Sequence, residues 1–153
     1  MQRDLVAATN GALGGGVATA AMSGVMAVAY RSGLLGQPPP ERMTGVMLDA
    51  VGGRRARRGT RQLVALLLHA LFGMGCGVFF GLLRGRVRLP GSMALQGAAF
   101  GGAIWLVSYG GWAPTLGLMP PPDRDRPGRP IVMVLAHVVY GLTLGAVVGR
   151  REA

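Results

Sequence analysis

Three long stretches without a charged side chain limit what this chain can fold into. They run over residues 63–83, 91–122 and 131–149. Apolar runs of about 18 or more residues without charges are typical of helices that cross a lipid bilayer. Charged residues make up only 14% of the 153-residue chain, whereas soluble domains contain about 25%. The sequence therefore predicts an integral membrane protein with one domain over residues 1–153.

Four membrane-spanning helices are expected, at about residues 5–30, 63–83, 92–112 and 131–149, in an all-α bundle. A helix rises about 1.5 Å per residue, so each of the last three extends over roughly 28 to 32 Å, enough for a bilayer core. The first run is rich in glycine and alanine, and a cleaved signal peptide is the rival interpretation. A span is favoured because the apolar region is too long for a signal peptide.

The charges indicate topology rather than a nucleic-acid partner. The net charge is +10, and all 16 basic residues are arginines that flank the apolar runs, as loop charges of membrane proteins do. No basic surface with base-stacking aromatics is visible. The two long loops carry 10 arginines, and the termini with the short loop of residues 84–88 carry six. The positive-inside rule therefore favours cytoplasmic long loops in a bacterial inner membrane.

The first long loop, residues 31–62, is expected to hold a short helix lying on the membrane surface. The sequence GQPPP stops the first span, and apolar side chains then recur on one face of a helix at about residues 41–51: Met43, Val46, Met47, Ala50 and Val51. An arginine-rich stretch follows: Arg54, Arg55, Arg57, Arg58 and Arg61. We expect these arginines to contact anionic lipid head groups. Plain control of topology by arginine is the alternative.

Two stretches match each other at an offset of 68 residues. LLHALFGMGCGVFFG at residues 67–81 and LAHVVYGLTLGAVVG at residues 135–149 each contain one of the two histidines, His69 and His137. Glycine then follows every four residues: Gly73, Gly77, Gly81, Gly141, Gly145 and Gly149. The preceding helices and their Pro-Pro-Pro loops also match. The chain is therefore predicted to contain two parallel-repeat helix pairs related by a pseudo-twofold axis along the membrane normal.

The spacing of the histidines and glycines predicts where they lie. Residues four apart share one face of a helix, so each histidine and its glycines form one stripe. Small-x-x-x-small stripes are where membrane helices approach closely, so these glycines are expected at helix contacts. His69 and His137 would then face other helices rather than lipid, at matching depths of roughly 9 Å.

Three roles are open for the histidine pair. The favoured role is structural, with each imidazole hydrogen-bonding a neighbouring helix; candidate partners are Thr19, Ser23, Ser108 and Tyr109. The alternative is a small transporter or channel subunit, since intramembrane ionisable residues often mark ion paths. The second alternative is a pair of axial ligands for haem, or a share in a metal site.

The remaining side chains indicate no catalytic or cofactor site. No Ser-His-Asp or Cys-His set is visible, so no enzymatic activity is expected. Cys76 is the single cysteine and lies in an apolar run, which is typical of a buried structural thiol. Glu41 and Asp123 follow the two Pro-Pro-Pro sequences and are candidates to pair with the arginine after each. The prediction includes no cofactor and no metal ion, and it leaves a homo-oligomer open.

At SYGGWAPTLGLMPPPDRDRPGRP, residues 108–130, and AHVVYGLTLG, residues 136–145, the chain resembles the YagU-like group of small bacterial inner-membrane proteins of unknown function. The resemblance covers most of the chain. It rests on the Tyr-x-Gly-Trp-x-Pro, Gly-Leu-x-Pro-Pro and Ala-His-x-x-Tyr-Gly elements. It implies a helical membrane protein and supplies no established activity. The favoured function is therefore that of a structural or accessory membrane protein.

Overall fold

Five helices of 12 residues or more dominate the part of the chain that the structure describes. The computed structural model describes residues 1–87 and 90–152, and these residues contain no β-strand. The helices are α1 (Gln2–Arg31), α2 (Pro39–Ala50), α3 (Arg58–Arg86), α4 (Met93–Val107) and α5 (Arg129–Glu152). The expected all-α class is therefore confirmed. Arg88, one of the arginines counted for topology, lies outside the described residues, as does Ala153.

Local sequence signals explain where the helices begin and end. α1 is followed by Gly33, which adopts a φ of +77°, a conformation that glycine reaches without a Cβ clash. α2 begins in the proline run of residues 38–40, where the fixed φ of proline suits the first turn. Ser92 caps α4, because its Oγ accepts a hydrogen bond of 3.3 Å from the backbone N–H of Leu95.

Three of the described helices have the length and apolar composition of membrane spans. They are α1, α3 and α5, over Gln2–Arg31, Arg58–Arg86 and Arg129–Arg151. α4 is shorter, since its 15 residues extend over about 22 Å, against about 30 Å for the hydrocarbon of a bilayer. These three helices support the prediction of a membrane protein. α4 alone is too short to be the fourth span that the sequence predicts.

An irregular helical segment prolongs α4. A π-helical turn, Ser108–Trp112, follows it and leads into the short helix Ala113–Thr115. Pro114 explains the irregularity, because proline has no N–H for the carbonyl four residues earlier and its ring crowds that carbonyl. The hydroxyl of Ser108 also donates to the carbonyl oxygen of Ile104 at 2.6 Å, a bond that bends helices. The helical path therefore continues from residue 93 to 115.

α1 and α3 pack antiparallel through glycines on both helices. The backbones are so close that a Cβ added to one glycine would overlap a carbonyl oxygen of the facing helix. Any larger residue would therefore push the helices apart. The contacting pairs are Gly11–Gly77, Gly15–Gly73 and Ala7–Gly81.

α4 and α5 pack in the same manner. A Cβ on Gly101 would overlap the carbonyl oxygen of His137. Gly149, at the end of the stripe, lies against the side chain of Met93. The two helix contacts thus contain all six glycines of the stripes in α3 and α5. The closest pairs here are Gly97–Gly141, Gly101–His137 and Met93–Gly145.

α1 and α5 pack against each other and supply most of the buried core. The core includes Ala18, Met22 and Met26 of α1, Phe80 of α3, and Met133, Ala136, Tyr140, Leu144 and Val148 of α5. Large apolar side chains remain exposed on the outer faces of α1, α3, α4 and α5. A protein surrounded by water rarely exposes so much apolar surface, whereas lipid requires it.

α2 packs against α3 near the start of that helix. Thr44 is buried and Met43 packs on the core. Val46, Met47 and Val51, which the sequence assigns to the same apolar face as Met43, are exposed by 39%, 48% and 80%. The helix itself is found close to the expected bounds, and much of its apolar face is free to contact lipid.

Replacement of Gly77 by alanine should weaken the bundle. The new Cβ would overlap the carbonyl oxygen of Gly11, so α1 and α3 must separate, and we expect a loss of about 1 to 3 kcal/mol in the free energy of unfolding. The matched control is Gly75→Ala on the same helix, because a Cβ there meets nothing within 4 Å. The control should be neutral or stabilising by up to about 1 kcal/mol. Denaturation of both variants in mixed micelles measures the difference, and equal stabilities would contradict the packing argument.

Candidate functional site

The two histidines line one cavity inside the bundle. The cavity has a volume of about 90 Å³ and lies between α1, α3 and α5, below the start of α2. His69 reaches it from α3 and His137 from α5. The other lining residues are Thr19, Met22, Met26, Pro39, Pro40, Phe72, Gly73, Cys76, Ile104, Met133 and Tyr140.

A hydrogen bond within α5 fixes the tautomer of His137. Its Nδ1 lies 2.7 Å from the carbonyl oxygen of Met133, one turn earlier in the helix, and the side chain is 7% exposed. A carbonyl oxygen can only accept, so Nδ1 must carry the proton. Nε2 of a neutral His137 is therefore left with a lone pair. Histidines that bind metal ions are commonly oriented by such a bond from the other ring nitrogen.

The imidazole of His69 has fewer hydrogen-bond partners than that of His137. Its Nε2 is buried and has no hydrogen-bond partner among the described residues. A buried polar atom without a partner is uncommon in proteins and usually costs about 1 to 3 kcal/mol. Because His69 also lines the cavity, its imidazole is a candidate to bind something other than a protein group.

Three of the four hydroxyl groups that sequence analysis offered as partners for the histidines bond elsewhere; Ser23 is the fourth. Thr19 donates to the carbonyl oxygen of Gly15 and Ser108 to that of Ile104, each within its own helix. The hydroxyl of Tyr109 donates to Asp125. The histidines therefore share one cavity without a hydrogen bond from these three groups.

Sulfur-containing residues line the cavity with the histidines, and sequence analysis missed most of them as site residues. Met22, Met26 and Met133 line the cavity together with Cys76. The sequence does carry a signal, because Met22 and Met26 are four residues apart, as are Met133 and His137. Residues at that spacing share a helix face. Cys76 is partly buried and also lines the groove between α3 and α4.

Tyr140 joins the cavity to the contact between α1 and α3. Its hydroxyl donates a hydrogen bond of 2.6 Å to the carbonyl oxygen of Gly73. That carbonyl also faces Gly15 across the glycine contact. The close approach of the two helices and the wall of the cavity therefore depend on the same backbone group.

Two larger grooves adjoin the cavity. One, of about 690 Å³, is bounded by α2, α3 and the segment after α4, and His69 lines it as well as the cavity. The other, of about 520 Å³, lies between α3 and α4 and shares Phe72, Cys76 and Ile104 with the cavity. His69 thus lies between an inner and an outer compartment.

The dimensions and residue types restrict what the cavity can hold. A volume of about 90 Å³ admits a few water molecules or an ion, whereas a porphyrin ring is several times larger, so the cavity does not accommodate haem. Among residues 1–87 and 90–152, no three side chains of the types His, Cys, Asp and Glu form a group that could hold a metal ion. Thioethers are the additional ligands available at this place.

Comparison with known proteins gives a family. A model of a family of unknown function, DUF6789, matches residues 5–153. The chain belongs to this family. No curated protein and no solved structure matches the chain significantly. The expectation that the chain belongs to a family of unknown function is thus confirmed.

The arginines after α2 in this DUF6789 protein fall into two groups. Arg61 bonds to Asp49 at 2.5 Å and to the carbonyl oxygens of Gly53 and Arg54, so it connects the start of α3 to the end of α2. The others are exposed to the surroundings: Arg54, Arg55, Arg57 and Arg58. Four of the five predicted head-group contacts therefore remain accessible, and one makes internal bonds.

A buried ion pair connects the two long loops. Arg129 and Asp125 are 2.9 Å apart, with side chains that are 5% and 3% exposed. Arg129 also donates to the carbonyl oxygens of Leu35 and Gln37, in the loop after α1. The hydroxyl of Tyr109 completes the set by donating to Asp125. Sequence analysis had considered the neighbouring Asp123, whose pair with Arg124 is exposed and 3.7 Å long.

Loss of the Asp125 charge should destabilise the fold strongly. In Asp125→Asn the guanidinium of Arg129 would stay buried without a counter-charge, and removal of one partner from a buried pair costs about 3 to 5 kcal/mol. The matched control is Asp123→Asn in the same loop, where the carboxylate is 74% exposed and a change within about 0.5 kcal/mol is expected. Thermal unfolding in detergent measures both. A stable Asp125→Asn protein would show that the pair contributes little.

Proposed function

We propose that this protein is a small transport or channel subunit in which the histidine cavity is the central site for an ion. The ion would bind to the imidazoles of His69 and His137 within the bundle. The role is binding and passage rather than catalysis, because the cavity is lined by two imidazoles and a thiol but by no carboxylate. No enzymatic activity is part of the proposal.

One observation carries the proposal. Both histidines line the same cavity. Nε2 of His69 is buried without a hydrogen-bond partner among the described residues, and Nε2 of His137 keeps a lone pair because Nδ1 carries the proton. Ionisable groups inside membrane proteins are costly and commonly mark ion or substrate paths. The outer groove next to His69 offers a route to the cavity from the loop side.

We further propose that α4 and its continuation form a fourth span, so that the protein comprises two related helix pairs. The helical path over residues 93–115 extends over about 34 Å, which is sufficient for a bilayer. Leu95, Leu106 and Val107 on α4 are each more than 60% exposed, as a lipid-facing helix requires. The similar glycine contacts of α1 with α3 and of α4 with α5 support the relation between the pairs.

The setting of the protein is likewise a proposal. We place it in a bacterial inner membrane, in the YagU-like group, with the two long loops on the cytoplasmic side. The arginine excess of those loops supports the orientation, and exposed Arg54, Arg55, Arg57 and Arg58 are suited to anionic head groups. Assembly into a homo-oligomer would enlarge the small path that one bundle provides.

A structural or accessory role is the second candidate. The glycine contacts favour it, because they give a compact bundle with little internal space. The bond between His137 and Met133 stays within one helix and does not join two helices. A histidine that fixes helix packing would be expected to bond across the contact, so this candidate explains the site less well.

Flux through reconstituted vesicles separates the two candidates. Purified protein in liposomes is tested with internal fluorescent indicators for protons, potassium, copper and zinc. The His69→Ala/His137→Ala protein should lose flux of the transported ion while keeping the helix content and elution volume of the wild type. In the proposed role the imidazoles of His69 and His137 form the binding site, so the ion flux should depend on both histidines.

Thr9→Ala serves as the control, since its exposed hydroxyl bonds only to Leu5 in α1. It should keep the flux of the wild type. A wild-type protein that conducts none of the ions, together with an unfolded double histidine variant, would contradict the transport role and favour the structural one.

A further inference from the structure

We infer that the histidine cavity takes a soft monovalent metal ion, Cu(I), with sulfur ligands besides the imidazoles. The inference rests on the proposed function for the location of the site and adds the identity of its ligand. It depends on the position of Met22, Met26 and Met133 with the two histidines around one cavity.

The donor atoms of the cavity match a soft ion. Thioether and thiolate sulfur select Cu(I), and imidazole nitrogen also binds copper, whereas carboxylate and carbonyl oxygen suit harder ions. Methionine ligands reach the cavity from two helices, with Met22 and Met26 on α1 and Met133 on α5. His137 is already oriented by its bond to the Met133 carbonyl, which leaves its lone pair for a metal ion.

Charge selects a monovalent ion over a divalent one. A net charge in the low-dielectric interior of a membrane protein is costly. The imidazole and thioether ligands of the cavity are neutral, so they do not compensate the charge of a bound ion. Cu(I) would therefore leave one positive charge inside the bundle. Zn²⁺ at the same place would leave two.

The other polar groups of the cavity are already engaged. The hydroxyl of Tyr140 donates to the Gly73 carbonyl, and that of Thr19 donates to the Gly15 carbonyl. They therefore do not compete with sulfur and imidazole for the ion. The volume of about 90 Å³ suits a single ion without its hydration shell.

Anaerobic titration of the full-length protein in detergent tests the inference. Cu(I) is supplied in competition with bathocuproine disulfonate, and Zn²⁺ is titrated in parallel. We expect one Cu(I) per chain. The X-ray absorption fine structure of the copper should show both sulfur and nitrogen atoms as its neighbours. His69→Ala/His137→Ala should abolish binding. Met22→Leu/Met26→Leu should weaken the affinity for Cu(I) by roughly tenfold or more. Loss of a residue that only hydrogen-bonds to a metal ligand already costs about tenfold in affinity.

Met74→Leu is the matched control, because Met74 lies on α3 away from the cavity and is 36% exposed. It should bind Cu(I) like the wild type. Preference for Zn²⁺, no bound metal, or Cu(I) binding that survives in the double histidine variant would each overturn the inference. Circular dichroism verifies that each variant is folded. A histidine-dependent flux of protons or potassium would then leave the transport role standing without copper.

Discussion

The close approach of helix backbones at the two glycine contacts is the constraint on which the rest of the structure depends. Within a bilayer, helices gain little from hydrophobic burial against each other, so dispersion contacts between complementary surfaces must hold them. Glycine permits the shortest separation between two helices. At Gly11–Gly77 and Gly97–Gly141 a Cβ on either glycine would overlap the carbonyl oxygen of the other. α1 and α5, each held by one such contact, then pack on each other through larger side chains. The inner bundle is thus rigid where the backbones touch.

The cavity lies where that tight packing gives way to long side chains. One turn beyond Gly73 the α3 stripe changes to His69, and α1 changes from glycine to Thr19 and the methionines. These longer side chains line the cavity. The α3 stripe therefore contacts α1 through its glycines and lines the cavity with His69. A site built in this way is held by backbone geometry and needs few bonds to the histidines.

Much of this arrangement follows from local sequence patterns. The glycine contacts follow from the four-residue spacing, since that spacing fixes a helix face before any tertiary structure is known. The methionines of the cavity do not, because methionine in an apolar run is also an ordinary core residue. The pairing of Asp125 rather than Asp123 with a buried arginine depends on how loop residues 116–128 fold over the loop after α1. The π-helical turn Ser108–Trp112 after α4 follows from Pro114 and the Ser108 hydroxyl, which hydropathy does not register.

The buried pair of Arg129 and Asp125 has a consequence for the cavity. Arg129 begins α5 and also holds the carbonyls of Leu35 and Gln37, just before the prolines that cover the cavity. His137 lies only two turns further along α5. The loop with its prolines is therefore positioned by the same helix that presents one of the two imidazoles.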